Sequence, residues 1–138
     1  MNIMDEIARG GVIKRDYFVQ IENNFLRNPE YTNNEKMLYL LLCTYAGKGS
    51  SCFPGQKTLA QFMGLSRTTV NATLKSLAKK NGVYIVNTKY TNNRKGSNIY
   101  FLAEINQYTG YFMEDSLTEF KEIFKDETQI ISEKKDAK

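Results

Sequence analysis

Histidine is absent from this 138-residue chain. With it go the Ser-His and Cys-His pairs that activate a nucleophile. The two cysteines, Cys43 and Cys52, cannot make a tetrahedral zinc site without histidine partners. Cys43 lies in an apolar helical run and reads as core, and both are expected to be free thiols of a reducing compartment. Long apolar stretches are missing as well: the longest, Met37–Cys43, falls far short of the roughly 18 residues that span a bilayer. The opening MNIMDEIARGG carries Asp5 and Glu6 and no continuous apolar segment, so it does not read as a signal peptide. A cytoplasmic location and no membrane partner are the expectation. Gly47-Lys48-Gly49-Ser50 looks like the end of a phosphate-binding loop, but Leu42 stands where the first glycine is required and Gly49 displaces the hydroxyl residue. An enzyme is not expected, nor any metal or cofactor.

Acidic residues are absent over one long interior stretch. From Lys36 to Ala103 there are ten basic residues (Lys36, Lys48, Lys57, Arg67, Lys75, Lys79, Lys80, Lys89, Arg94 and Lys95) and no Asp or Glu. Residues 1–35 carry four basic and six acidic groups, and residues 104–138 carry five and nine. A globular segment of this size ordinarily mixes both signs, so the one-sided block asks for a polyanion nearby. Charge alone does not choose among DNA, RNA and a membrane surface.

What the chain does contain is an ordered set of helix and strand signals. Tyr17–Ile21 (YFVQI) is β-prone and is followed by a turn at Asn23-Asn24. Thr32-Asn33-Asn34-Glu35 forms a capping box. It opens a helix, Met37 to Ala46, that is apolar on nearly every face and so predicts a central, buried position. Gly47–Ser51 ends it. Pro54 and Gly55 open a second helix with Leu59, Phe62 and Met63 as its apolar stripe, and Gly64 stops it. Ser66 caps a third helix from about Arg67 to Lys80, with Val70, Leu74 and Leu77 facing inward, and Asn81-Gly82 ends it. Val83–Thr88 and Ile99–Leu102 are two strands joined by the basic, turn-rich Lys89–Asn98 (KYTNNRKGSN). The expected fold is therefore α+β: a winged helix-turn-helix with a three-helix core, a short N-terminal strand and a basic β-hairpin wing, plus an extra C-terminal helix. Leu117, Phe120, Ile123 and Phe124 are the stripe of that last helix, which folds back on the domain or meets a partner. The division expected is an extension at 1–16, a DNA-binding domain at 17–103, and an acidic helix with a charged tail or linker at 104–138.

Two short helices that cross steeply need a small residue at the contact, a turn residue able to take positive φ, and an aliphatic wedge on the second helix. Ala60, Gly64 and Val70 supply these at helix-turn-helix spacing. With Val70 inward and about 100° per residue, the outward face presents Thr68, Asn71, Ala72, Lys75, Ser76 and Lys79, flanked by Arg67 and Thr69. Such a helix fits the major groove. Asn71 suits adenine, Arg67 suits guanine or a phosphate, and Thr68 and Ala72 offer methyl contacts to thymine. The amides beside Ser66 form a phosphate site, and Lys57, Lys75, Lys79 and Lys80 are expected to be phosphate contacts. On the hairpin, Lys89, Arg94 and Lys95 are the candidates, with Arg94 expected in a narrow A·T-rich minor groove.

Tyr17–Leu102 resembles the winged-helix domains at the front of plasmid and phage replication proteins of low-GC Gram-positive bacteria. The residues that carry the likeness are YFVQI-x-x-x-FL-x-x-P, NNEKMLYLLLCTYA and CFPGQKTLAQFMGLSRTTVNATLKSL, with Gly55 standing where the family usually has serine. The resemblance implies an initiator that binds repeated sites at an origin. It also implies a homodimer, and host replisome proteins as partners of a region that these 138 residues do not contain. Two alternatives stand beside it: a plasmid or phage transcription regulator or DNA-organising protein, and a winged helix that binds protein or RNA.

Overall fold

The computed structural model describes residues 18–47, 49–124 and 128–131. The expected 1–16 extension, Tyr17 and the 132–138 tail lie outside the described residues. The elements follow in the order α1 (Asn23–Leu26), α2 (Asn33–Ala46), β1 (Ser51–Cys52), α3 (Gln56–Met63), α4 (Arg67–Lys79), β2 (Val83–Tyr90) and β3 (Ile99–Leu102). Beyond them come β4 (Glu104–Ile105), β5 (Phe112–Met113), a 3₁₀ turn (Glu114–Leu117), α5 (Thr118–Ile123) and β6 (Thr128–Ile131).

Each helix boundary has a local cause. The Thr32 hydroxyl accepts from the Glu35 amide while the Glu35 carboxylate accepts from the Thr32 amide, so the capping box forms in full. Gly64 ends α3 in the left-handed region at φ 68°, and the Leu65 amide reaches back to the Ala60 carbonyl. Ser66 caps α4 by accepting from the Thr69 amide, and Asn81, also at φ 68°, turns the chain out of it.

β1, β3 and β2 form an antiparallel sheet, with Ser51 opposite Phe101 and Val83 opposite Leu102. β6 adds a parallel strand along Asn87–Tyr90, on the other edge of β2. One core joins the helices to the sheet: Leu38 and Leu42 of α2, Leu59 of α3, Val70, Leu74 and Leu77 of α4, and Val83, Val86 and Tyr100 of the sheet. The fold is α+β, with α2 and α4 packed against the β1–β3–β2 sheet and α3 packed on both helices.

The structure corrects four expectations. The short N-terminal strand does not form: residues 18–22 make no sheet pairing, and the Asn23-Asn24 turn is instead the start of α1. The edge position beside β3 is taken by Ser51–Cys52, which α2 delivers there directly. α2 is not buried all round, because Met37, Thr44 and Tyr45 are exposed. Phe62 does not join the stripe of α3; it is 68% exposed while Leu59 and Ala60 are buried. Finally, the core does not stop at Ala103, since Ile105, Phe112 and Leu117 belong to it.

That last correction has a structural cause. Phe112 enters an aromatic cluster with Phe25, Tyr31 and Tyr39, with ring centroids 4.8–5.2 Å apart. The turn before it is tied to α1 by Asn24, whose amide donates to the Gln107 and Tyr108 carbonyls, and by Asn28, which donates to the Gly110 carbonyl. Further on, Phe120 and Phe124 stack on Phe101 at 4.5 and 5.2 Å, so the C-terminal stripe folds back on the sheet. Ile123 of the same stripe stays 63% exposed.

Candidate nucleic-acid interface

The candidate surface is built on α4. Val70, Leu74 and Leu77 are fully buried, which turns Arg67, Thr68, Ala72, Lys75 and Lys79 outward, all of them exposed. Thr69 and Asn71 are half-buried at the edge of this face. Ser66 is exposed at the N-cap, and Lys57 is exposed on the first turn of α3. The helix-to-helix joint has the required parts: Ala60 is buried at the crossing, Gly64 takes positive φ, and Val70 is the wedge.

Ser76, expected on the outward face, and Lys80, expected at a phosphate, turn elsewhere. The Ser76 hydroxyl donates to the Glu35 carboxylate. Lys80 donates to the same carboxylate at 2.9 Å and to the Glu30 carbonyl at 2.8 Å, with its ammonium 5.7 Å from the Tyr31 ring centre. Both are spent on fastening the end of α4 to the start of α2. Glu35, only 2% exposed, is the acid that immediately precedes the cationic block, and it is neutralised internally. Burial pushes its carboxyl upward, but hydrogen bonds from Ser76, Lys80 and the Thr32 amide outweigh that and hold it below the ordinary 4.5.

The hairpin projects beside the N-terminus of α4. Its tip closes over Thr91–Asn93, with Asn93 at φ 69° and the Tyr90 amide donating to the Arg94 carbonyl at 2.6 Å. Arg94 is exposed, and its guanidinium lies 4.4 Å from the Tyr90 ring centre. Lys89 is half-buried and stands directly opposite the exposed Lys95 in an antiparallel bridge.

Between hairpin and helices runs a cleft of about 310 Å³, with Arg67, Tyr90 and Lys95 at its sides and Gln56, Asn98 and Tyr100 within. A polar line crosses it. Asn98 donates to the Tyr100 hydroxyl at 3.5 Å, Gln56 is within hydrogen-bonding reach of the same hydroxyl, and Gln56 donates to the Asn71 Oδ1 at 3.4 Å. Gln56, Asn98 and Tyr100 carry no charge, and nothing in their spacing singled them out as a group. Only folding joins them to Asn71.

The thiols are not chemically activated: burial pushes Cys43 up to about 11 and Cys52 up to about 12. No helix among the described residues is long and apolar enough to cross a membrane.

A short helix, a left-handed glycine turn and a capped second helix with a polar, cationic outer face define a helix-turn-helix domain, the arrangement that sets a helix into the major groove of DNA. Residues 32–81 match the family model of a helix-turn-helix domain. That range runs from the Thr32 cap of α2 to Asn81, where the chain leaves α4. No curated protein matches the chain.

Proposed function

We propose that this chain is a winged helix-turn-helix domain that binds double-stranded DNA sequence-specifically and without catalysis. The recognition helix is α4, and the wing is the hairpin of β2 and β3. The biological role proposed is binding of repeated origin sites by a plasmid or phage replication initiator, as a homodimer, with replisome contacts made by a region outside these residues. The observation that carries the DNA reading is the outward face of α4, where Arg67, Lys75 and Lys79 are exposed inside a stretch without a single acid. Asn71 and Thr68 read bases, Lys57, Lys75 and Lys79 hold phosphates, and the hairpin brings Lys89 and Lys95 to the backbone and Arg94 to the adjacent A·T-rich minor groove.

Selection of the bound sequence from random duplexes, followed by titration against salt, tests this. The expected log–log slope is roughly −4 to −8, for about five to nine phosphate contacts. A flat dependence rejects DNA. Tandem direct repeats beside an A·T-rich tract support the initiator role, and a single inverted repeat over a promoter assigns the chain to transcription regulation instead.

A further inference from the structure

The cleft between the recognition helix and the hairpin is bordered by cations from two separate elements. Arg67 is the first residue of α4, where the positive end of the helix dipole adds to its charge. Lys95 comes from the returning arm of the hairpin, and no acidic residue lines the space. Lys95 also stands directly opposite Lys89 across the bridge. Like charges opposed in this way are destabilising unless an anion sits against them. Arg94, by contrast, packs over the Tyr90 ring. The hollow, at about 310 Å³, is larger than a bare phosphate fills, which suits a phosphate that enters as part of a chain.

We propose that this cleft seats one backbone phosphate of a DNA strand, held from both sides by Arg67 and Lys95. The strand then passes between recognition helix and wing, and that single phosphate fixes the rotation of the duplex about the domain. The assignment rests on the DNA reading above. It adds that two residues from different elements serve the same phosphate.

The test uses the full chain, Arg67→Ala, Lys95→Ala and the double variant, at one fixed salt concentration. The duplexes carry one neutral methylphosphonate each, moved along the selected site. Both side chains are exposed, so unchanged melting curves are the folding control. Each single substitution is expected to weaken binding about tenfold on the unmodified duplex, the scale of a charge-assisted hydrogen bond. One methylphosphonate position is expected to silence both, so that the variants bind that duplex as the parent does. The double variant is expected to flatten the salt slope by roughly 0.9, one phosphate, where independent contacts flatten it by roughly 1.8. Inorganic phosphate replacing chloride at equal ionic strength is expected to leave binding unchanged, and displacement of DNA by it identifies a free anion as the occupant and overturns the strand assignment. Two different silencing positions, or a slope change near 1.8, overturn the shared phosphate. Variants that bind as tightly as the parent overturn the cleft alone, whereas a parent chain that does not bind duplex overturns both readings.

Discussion

Glu35 enters the sequence as the closing acid of a capping box and keeps that role, yet its carboxylate also accepts from Ser76 and Lys80 at the end of α4. Those bonds hold its pKa below 4.5, so folding stability gained from the ionised form is full above that value and is lost as pH falls through the lower folded pKa. Thermal melts between pH 6 and 3 should therefore show a loss of stability in the parent that is smaller in Glu35→Gln. At neutral pH that variant should itself be destabilised by about 1–3 kcal/mol, the cost of weakening bonds to a buried charged acceptor. An identical pH profile in both would remove Glu35 from this role. Asn71 is the residue through which bases are expected to be read, and Gln56 fixes one end of its amide. Asn71→Ala should cost about 1–3 kcal/mol on the selected site and relax preference at one base pair. Lys79→Ala should weaken specific and non-specific duplexes alike, and equal behaviour of the two variants would show that the outward face has been assigned wrongly.

At the scale of elements, the joint between α1 and the turn before β5 depends on two asparagines and a glycine. Asn24 and Asn28 read locally as turn formers, but their amides bind carbonyls more than 80 residues away. Gly110 sits at φ 76°, and a Cβ there would lie 2.2 Å from the Asn24 carbonyl oxygen. Gly110→Ala combines left-handed strain with overlap against backbone that cannot move aside, and should cost roughly 2–4 kcal/mol in a denaturant titration. A loss under about 0.5 kcal/mol, the range of ordinary surface substitutions, would mean the joint is loose. The same contact explains why Phe112 cannot be separated from the helix-turn-helix. Its ring packs where a side chain at Gly82 would otherwise stand, just after α4.

For the molecule as a whole, charge and edges decide how it meets other chains. Acids are confined to the flanks, which leaves the helix-turn-helix and hairpin as a single cationic stretch. β2 is paired with β3 along Val83–Val86 and with β6 along Asn87–Tyr90, so β6 covers what is otherwise an open edge beside the hairpin. Removing residues 128–138 should leave the core intact and speed amide exchange in the Asn87–Tyr90 half of β2 by on the order of tenfold, while the Val83–Val86 half keeps its protection. Light scattering on the same variant should show concentration-dependent association as the edge is exposed. Unchanged exchange would show that β6 protects nothing.

By itself the sequence determined the three helices, the hairpin strands and the helix-turn-helix joint, because each of these rests on short-range rules. The capping pairs Thr32–Glu35 and Ser66–Thr69 act over three residues, Gly64 and Asn81 relieve a local backbone angle, and the Val70–Leu74–Leu77 stripe repeats with the helix turn. Tertiary structure alone decided which of several competent segments filled each place. Tyr17–Ile21 has the better strand composition, yet Ser51–Cys52 holds the edge of β3 because the end of α2 leaves it there. Ser76 lies on the outward face by helical phase and Lys80 reads as a phosphate contact, but a buried carboxylate 41 to 45 residues earlier binds both. The cleft that joins Arg67 to Lys95, and the line from Asn98 to Asn71, bring together residues with no periodic relation. Such contacts are set by how the elements pack, and packing distance leaves no mark in sequence spacing.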